Sequence, residues 1–169
     1  MGGMTDVFKY KEQKMEINVV SINQSFGKDE QTSQVIVALN GNSTDGSGDY
    51  LSSSVNVTSK ELPESTSFDD VLDSEIETLA RNKLAAYAAG AMPIRVSSIV
   101  RNYDQQTHEI SNVVVSLLSS MTDGTNDYIN YHTTITKEDL PSDKTFATMT
   151  ASSLKTLAKA KLVAVTKVA

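Results

Sequence analysis

The densest grouping of oxygen-bearing side chains in this sequence occurs twice, as Asp45-x-Ser47-x-Asp49 and as Asp123-x-Thr125-x-Asp127. Alternating carboxylate and hydroxyl ligands on a short loop are what a hard cation such as calcium prefers, but an EF-type loop also needs glycine at its sixth position and glutamate at its twelfth. These loops offer Tyr50 and Asn56, or Tyr128 and Thr134, at those places. The same letters have a plainer use. Asp-Gly suits the positive φ of a hairpin turn, and Asp and Ser side chains accept hydrogen bonds from backbone N–H groups two residues on. The spacing therefore predicts turns, with no metal site and no cofactor site.

Acid–base and nucleophilic chemistry is equally thin. There is no cysteine, so thiolate catalysis, disulfides and thiolate zinc sites are excluded. The two imidazoles are His108, in a polar turn, and His132, expected on the outer face of a strand. A nucleophile would have to be a Ser or Thr beside one of them, and no strand–G-x-S-x-G–helix elbow exists to hold it. Both histidines are read as surface residues and no catalytic residue is assigned. Asn23, Asn42 and Asn56 each open an N-x-[ST] triplet. In a chain this rich in Asn, Ser and Thr such triplets arise by chance, and no signal-peptide pattern precedes them.

The elements that would position any of these groups come from a duplication. Thr44–Leu84 lies over Thr122–Leu162 at an offset of 78, with 15 of 41 positions identical, which is too many for coincidence. The identities include Leu62-Pro63 with Leu140-Pro141, Phe68 with Phe146, and Leu79, Ala80, Lys83 and Leu84 with Leu157, Ala158, Lys161 and Leu162. Turn, core and helix residues recur, and no reactive group does.

Within the first copy, Met15–Phe26 changes the parity of its apolar residues between Val19 and Val20, as a bulged strand does. Ile22 and Phe26 continue the parity of Val20. Thr32–Asn40 alternates with Val35, Val37 and Leu39 on one face, and residues 49–59 place Leu51, Val55 and Val57 inward and Asn56 and Thr58 outward. After Pro63, Ser67 or Asp70 is the expected cap of a helix whose stripe is Ile76, Leu79, Ala80, Lys83, Leu84 and Tyr87, ended by Gly90. The second copy repeats the plan with one extra residue in its first hairpin, where insertions cost least. Its strands carry Ile94, Val96, Ile99 and Tyr103, then Val113, Val115 and Leu117, then Ile129, Tyr131, Thr133 and Ile135; its helix stripe is Leu154, Leu157, Ala158, Lys161, Leu162 and Val165.

The fold class is thus α+β: a tandem duplication of a β-β-β-α unit with pseudo-twofold symmetry, its antiparallel strands covered by two amphipathic helices. Residues 1–14 form an N-terminal arm expected to fray, 15–90 the first repeat and 91–169 the second, sharing one core because a 78-residue unit alone buries little apolar surface. One six-stranded sheet with both helices on one face is preferred to two separate three-stranded domains.

Charge is split between the copies. Met15–Gly90 holds 4 basic and 12 acidic residues, Ala91–Ala169 holds 8 and 7, and the whole chain has a net charge of -6. Such an acidic chain lacks the Lys/Arg excess that drives nucleic-acid binding, and it has no apolar run long enough to cross a membrane as a helix. The expectation is a non-catalytic structural or assembly protein, such as a small bacteriophage virion or morphogenesis component, that associates with copies of itself or with other proteins. It would be cytoplasmic or part of a virion. The alternative is an adaptor or inhibitor that presents loops 41–48 and 119–126 to a protein partner.

Overall fold

The computed structural model describes residues 15–121 and 125–168, so the arm at 1–14 lies outside the described residues. Six strands form one antiparallel sheet: β1 (Met15–Phe26), β2 (Thr32–Ser43), β3 (Tyr50–Val57), β4 (Arg95–Tyr103), β5 (Ile110–Ser120) and β6 (Tyr128–Ile135). Their order is β1-β2-β3-β6-β5-β4. Two meanders therefore meet back to back at β3 and β6. Helices α1 (Asp73–Ala86) and α2 (Ala151–Thr166) follow β3 and β6 in the chain and cover one face of the sheet.

The central register carries the symmetry. Tyr50–Ser54 pairs with Tyr128–His132 so that Ser52 faces Asn130, its own counterpart 78 positions on. Tyr50 faces His132 while Ser54 faces Tyr128, the same pair with the repeats exchanged. A twofold axis passes through the Ser52–Asn130 pair and relates the two β-β-β-α units.

A single core of buried side chains spans both repeats, from Val35, Val37 and Leu39 through Leu51 and Val55 to Ile129, Tyr131, Val115 and Leu117, with Ile76, Leu84, Leu154 and Leu162 from the helices. The alternation predicted for β2, β3, β5 and β6 places these residues inward. The end of α2 also reaches the first repeat: Val165, with Val168 just beyond the helix, lines a small cavity with Met15 and Ile17 of β1.

Several local expectations need correction. The bulge in β1 falls between Val19 and Ser21, where the parity change predicts it, but a second register shift, not predicted, separates Ser25 from Phe26. Both shifts turn side chains out of the core, leaving Val20 59% and Phe26 58% exposed. Tyr103, beyond the matching shift in β4, is likewise 58% exposed. Asn56, assigned outward, is buried because its backbone takes part in the inter-repeat contacts described below. Ser67 caps a short 3-10 turn, Phe68–Asp70, and α1 begins later with Leu72 at its N-cap. There the Glu75 carboxylate reaches back to accept from Leu72 N–H at 2.8 Å. At the same position of the second repeat, Thr150 accepts from Ser153 N–H at 3.1 Å. The two halves of a capping box are thus divided between the repeats. Gly90 ends the first helical segment with φ of 125°, a left-handed value that suits glycine.

Candidate functional site

Beyond the five-residue β3–β6 pairing the two strands splay, and backbone groups that would face a neighbouring strand need other partners. Aspartates supply them reciprocally. Asp49, 2% exposed, accepts from Thr134 N–H at 2.8 Å and from the Thr133 hydroxyl at 2.7 Å. Its counterpart Asp127, 1% exposed, accepts from Asn56 N–H at 2.8 Å and from the Tyr87 hydroxyl at the end of α1. Asn56 and Thr134 are themselves equivalent. Each repeat therefore closes the strand end of the other through a buried carboxylate.

The carbonyls of the same two residues are met by lysines. Lys83 Nζ donates to Asn56 O at 2.6 Å and pairs with Glu61 at 2.6 Å; Lys161 Nζ donates to Thr134 O at 3.0 Å and pairs with Asp139 at 3.0 Å. Glu61 and Asp139 also accept from Thr58 and Thr136 N–H groups, which closes the 3-10 turn at the strand exit. The shorter Asp139 draws its lysine inward, so that side chains are 4% and 2% exposed in the second pair against 19% and 31% in the first. Lys161 holds its place in the helix stripe as a buried ion-pair partner. The sequence held a signal for both pairs. Lysine recurs inside an apolar stripe in both copies, and residue 22 positions before it is acidic in each.

The Asp-rich loops work as turns. Asp45 accepts from Ser47 N–H at 3.0 Å, Ser47 from Asp49 N–H at 3.4 Å, and Thr125 from Asp127 N–H at 3.4 Å. Gly48 has φ of 79°, and its counterpart Asn126 holds the same left-handed region at 59°. Asp123 lies outside the described residues. Among the described residues no three His, Asp or Glu side chains converge as metal ligands would. A cavity of about 180 Å³ separates the Asp45–Ser47 turn from Asp139 and Lys161. The carboxylates that border it, Asp45, Asp49 and Asp139, are all engaged by donors.

His132 lies half-buried on the open face of the sheet, its ring stacked on Tyr50 at 4.3 Å, with Nδ1 2.9 Å from the Ser116 hydroxyl. This serine–histidine pair was not foreseen, because Ser116 and His132 meet only through the β5–β6 register. Ser116 is 6% exposed, so the contact orients the imidazole and gives a substrate little access to the hydroxyl.

His108 lines a larger feature of the second repeat alone. A cleft of about 590 Å³ lies between the β4–β5 hairpin and the turns Lys137–Asp139 and Phe146–Thr148. Its walls include Tyr103, Ile110, Leu140 and Phe146, with Lys137, Lys144, His108 and Glu109 among the polar groups. The hairpin is held by Asp104, whose carboxylate accepts from Gln106 and Thr107 N–H at 2.8 and 2.9 Å. Those backbone donors, Thr107 foremost and then Gln106, keep its pKa below the usual carboxylate value.

The chain matches no known family model, no curated protein and no solved structure.

Proposed function

We propose that this chain is a non-catalytic structural or assembly protein that self-associates head to tail, as a small bacteriophage virion or morphogenesis component would. The observation that carries this reading is the pair of sheet edges. β1 and β4 are outermost, at opposite ends of one sheet. Six alternating strands make them antiparallel to each other, so β1 of one copy is correctly directed to pair with β4 of the next without inverting the molecule. Edge strands in monomeric proteins are commonly blunted by Lys, Pro or shortening. β1 is 12 residues long and contains neither Lys nor Pro. Val20 and Phe26 on one edge, and Val100 and Tyr103 on the other, are exposed apolar residues.

Charge supports the same pairing. β1 carries Glu16 as its charged residue and β4 carries Arg95 and Arg101. Asp69, Asp70, Asp73 and Glu75 are exposed near the start of α1, while Lys155 and Lys159 on α2 and Lys167 just beyond its end are exposed. An unlike-surface contact closes into a ring or continues as a filament. Sedimentation and native mass measurement at low and high ionic strength test this. The expected result is a ring or filament that dissociates when Val20→Lys and Val100→Lys are introduced together. A monomer under all conditions, or an oligomer indifferent to both lysines, rejects it; a monomer that captures one defined protein partner favours the adaptor instead.

A further inference from the structure

The two repeats treat one place in opposite ways. In the first, the β1–β2 hairpin is tied to the 3-10 turn before α1 by a hydrogen bond from the Thr32 hydroxyl to Asp69 at 2.7 Å. The equivalent residues in the second are Ile110 and Ala147, which cannot make that bond, and both line the 590 Å³ cleft. Two further exchanges accompany this one. Ser59 and Thr66 of the first repeat correspond to Lys137 and Lys144 of the second, both of which line the cleft. Apolar wall residues Leu140 and Phe146 are kept from Leu62 and Phe68. A bridged polar seam has become an apolar hollow with two ammonium groups beside it.

From this we infer that the cleft is a binding site for a small apolar anion, an aromatic or branched aliphatic body bearing one carboxylate or sulfonate. Its volume lies within the roughly 300–1,000 Å³ typical of small-ligand pockets, which combine mainly apolar walls with a few polar groups that fix orientation. Among the described residues neither Lys137 nor Lys144 forms an ion pair. Glu109 is the one carboxylate lining the cleft, and Asp104 stands near Lys137. Neither carboxylate lies within ion-pair distance of a lysine among the described residues, so both ammonium groups can meet an anionic ligand. The body of the ligand packs on Tyr103, Ile110 and Phe146, and its anionic group meets the lysines. This site needs no second copy, although Tyr103 belongs both to its wall and to the β4 edge, and the lysine variant leaves that edge unaltered.

The probe is 8-anilinonaphthalene-1-sulfonate, an aromatic anion whose emission rises on burial, compared with the uncharged N-phenyl-1-naphthylamine. The intact chain is expected to bind one equivalent of the anion saturably and the neutral probe more weakly. The double variant Lys137→Gln, Lys144→Gln should weaken anion binding about tenfold or more, the loss of charge-assisted hydrogen bonds. The variant Ile110→Thr, Ala147→Asp rebuilds the bridge of the first repeat and should abolish binding. Thermal melts establish that each variant is folded; should the bridge variant not fold, the lysine variant, altered only at exposed positions, decides alone. Failure of the wild-type chain to saturate, unchanged anion affinity in the lysine variant, or equal affinity for the neutral probe overturns the assignment.

Discussion

The first repeat is an acidic unit whose lysine–glutamate pair stays part-exposed; the second buries its ion pair and opens a cleft. Yet the two share one order of strands, 3-10 turns and helix around the Ser52–Asn130 axis. The two carboxylates that act across the axis and the lysine–acid pairs beside them keep their chemical type, although the hydroxyl partners Thr133 and Tyr87 stand opposite Val55 and Val165. Asp49 and Asp127 are identical, Lys83 and Lys161 are identical, and Glu61 and Asp139 are both acids. Residues at the helix starts and hairpins differ freely. A carboxylate that must meet a buried backbone N–H of the other half has no substitute partner, whereas a solvated turn answers only to its own backbone, so the joint keeps its aspartates while the periphery diverges.

The sharpest test of the joint is separation. Residues 15–90 expressed alone lose every donor to Asp49 from Thr133 and Thr134, and the lost core surface leaves little to offset chain entropy. No cooperative transition is expected from a monomer. Any folding should rise with concentration, as a homodimer re-forms the axis with a second β3. A sharp, concentration-independent melt of a monomer would refute the shared core.

Next in size is the contrast between the ion pairs. Lys161→Met strands the buried Asp139 and should cost about 3–5 kcal/mol, much of it recovered when Asp139→Asn is added. Lys83→Met leaves a part-exposed Glu61 and should cost below about 1.5 kcal/mol. Urea unfolding of the three variants measures both, and equal losses would remove the distinction drawn from burial.

The equivalent helix leucines also part ways. Leu157 is 1% exposed whereas Leu79 is only partly buried at the edge of the core. Leu157→Ala should cost about 2–5 kcal/mol, and Leu79→Ala about 1–2 kcal/mol because less of its surface leaves water. Calorimetry that ranks them in reverse would mean that α1 packs more deeply than α2. The smallest difference lies at the helix caps. Thr150→Ala removes the hydroxyl that accepts from Ser153 N–H and should cost about 1 kcal/mol. Leu72→Ala leaves the Glu75 contact with its backbone intact and should stay within about 0.5 kcal/mol. Thermal shifts on the two variants resolve this pair.

Much of the architecture was legible in one dimension. The 78-residue offset revealed the duplication, period-two alternation identified the inward faces of β2, β3, β5 and β6, and the parity change after Val19 located the bulge. Alternation failed where register shifts intervene, as at Phe26 and Tyr103, because parity holds only within an unbroken ladder. Cap assignment failed at Ser67 because a 3-10 turn uses the same cap chemistry as an α-helix. Asp45 and Ser47 were read correctly as turn formers, since their partners lie two residues away.

The sequence by itself determined the repeated unit, its strand faces and its helix stripes, all of which follow from local periodicity and turn chemistry. Only the tertiary structure decided that Asp49 and Asp127 reach into each other's repeats, that Lys161 is buried, that Ser116 meets His132, and that the second repeat opens a cleft. Each of those depends on the register of paired strands or on the packing of separate elements against one another. Such a juxtaposition is fixed by packing and by the need to satisfy buried backbone groups, and no local pattern encodes it.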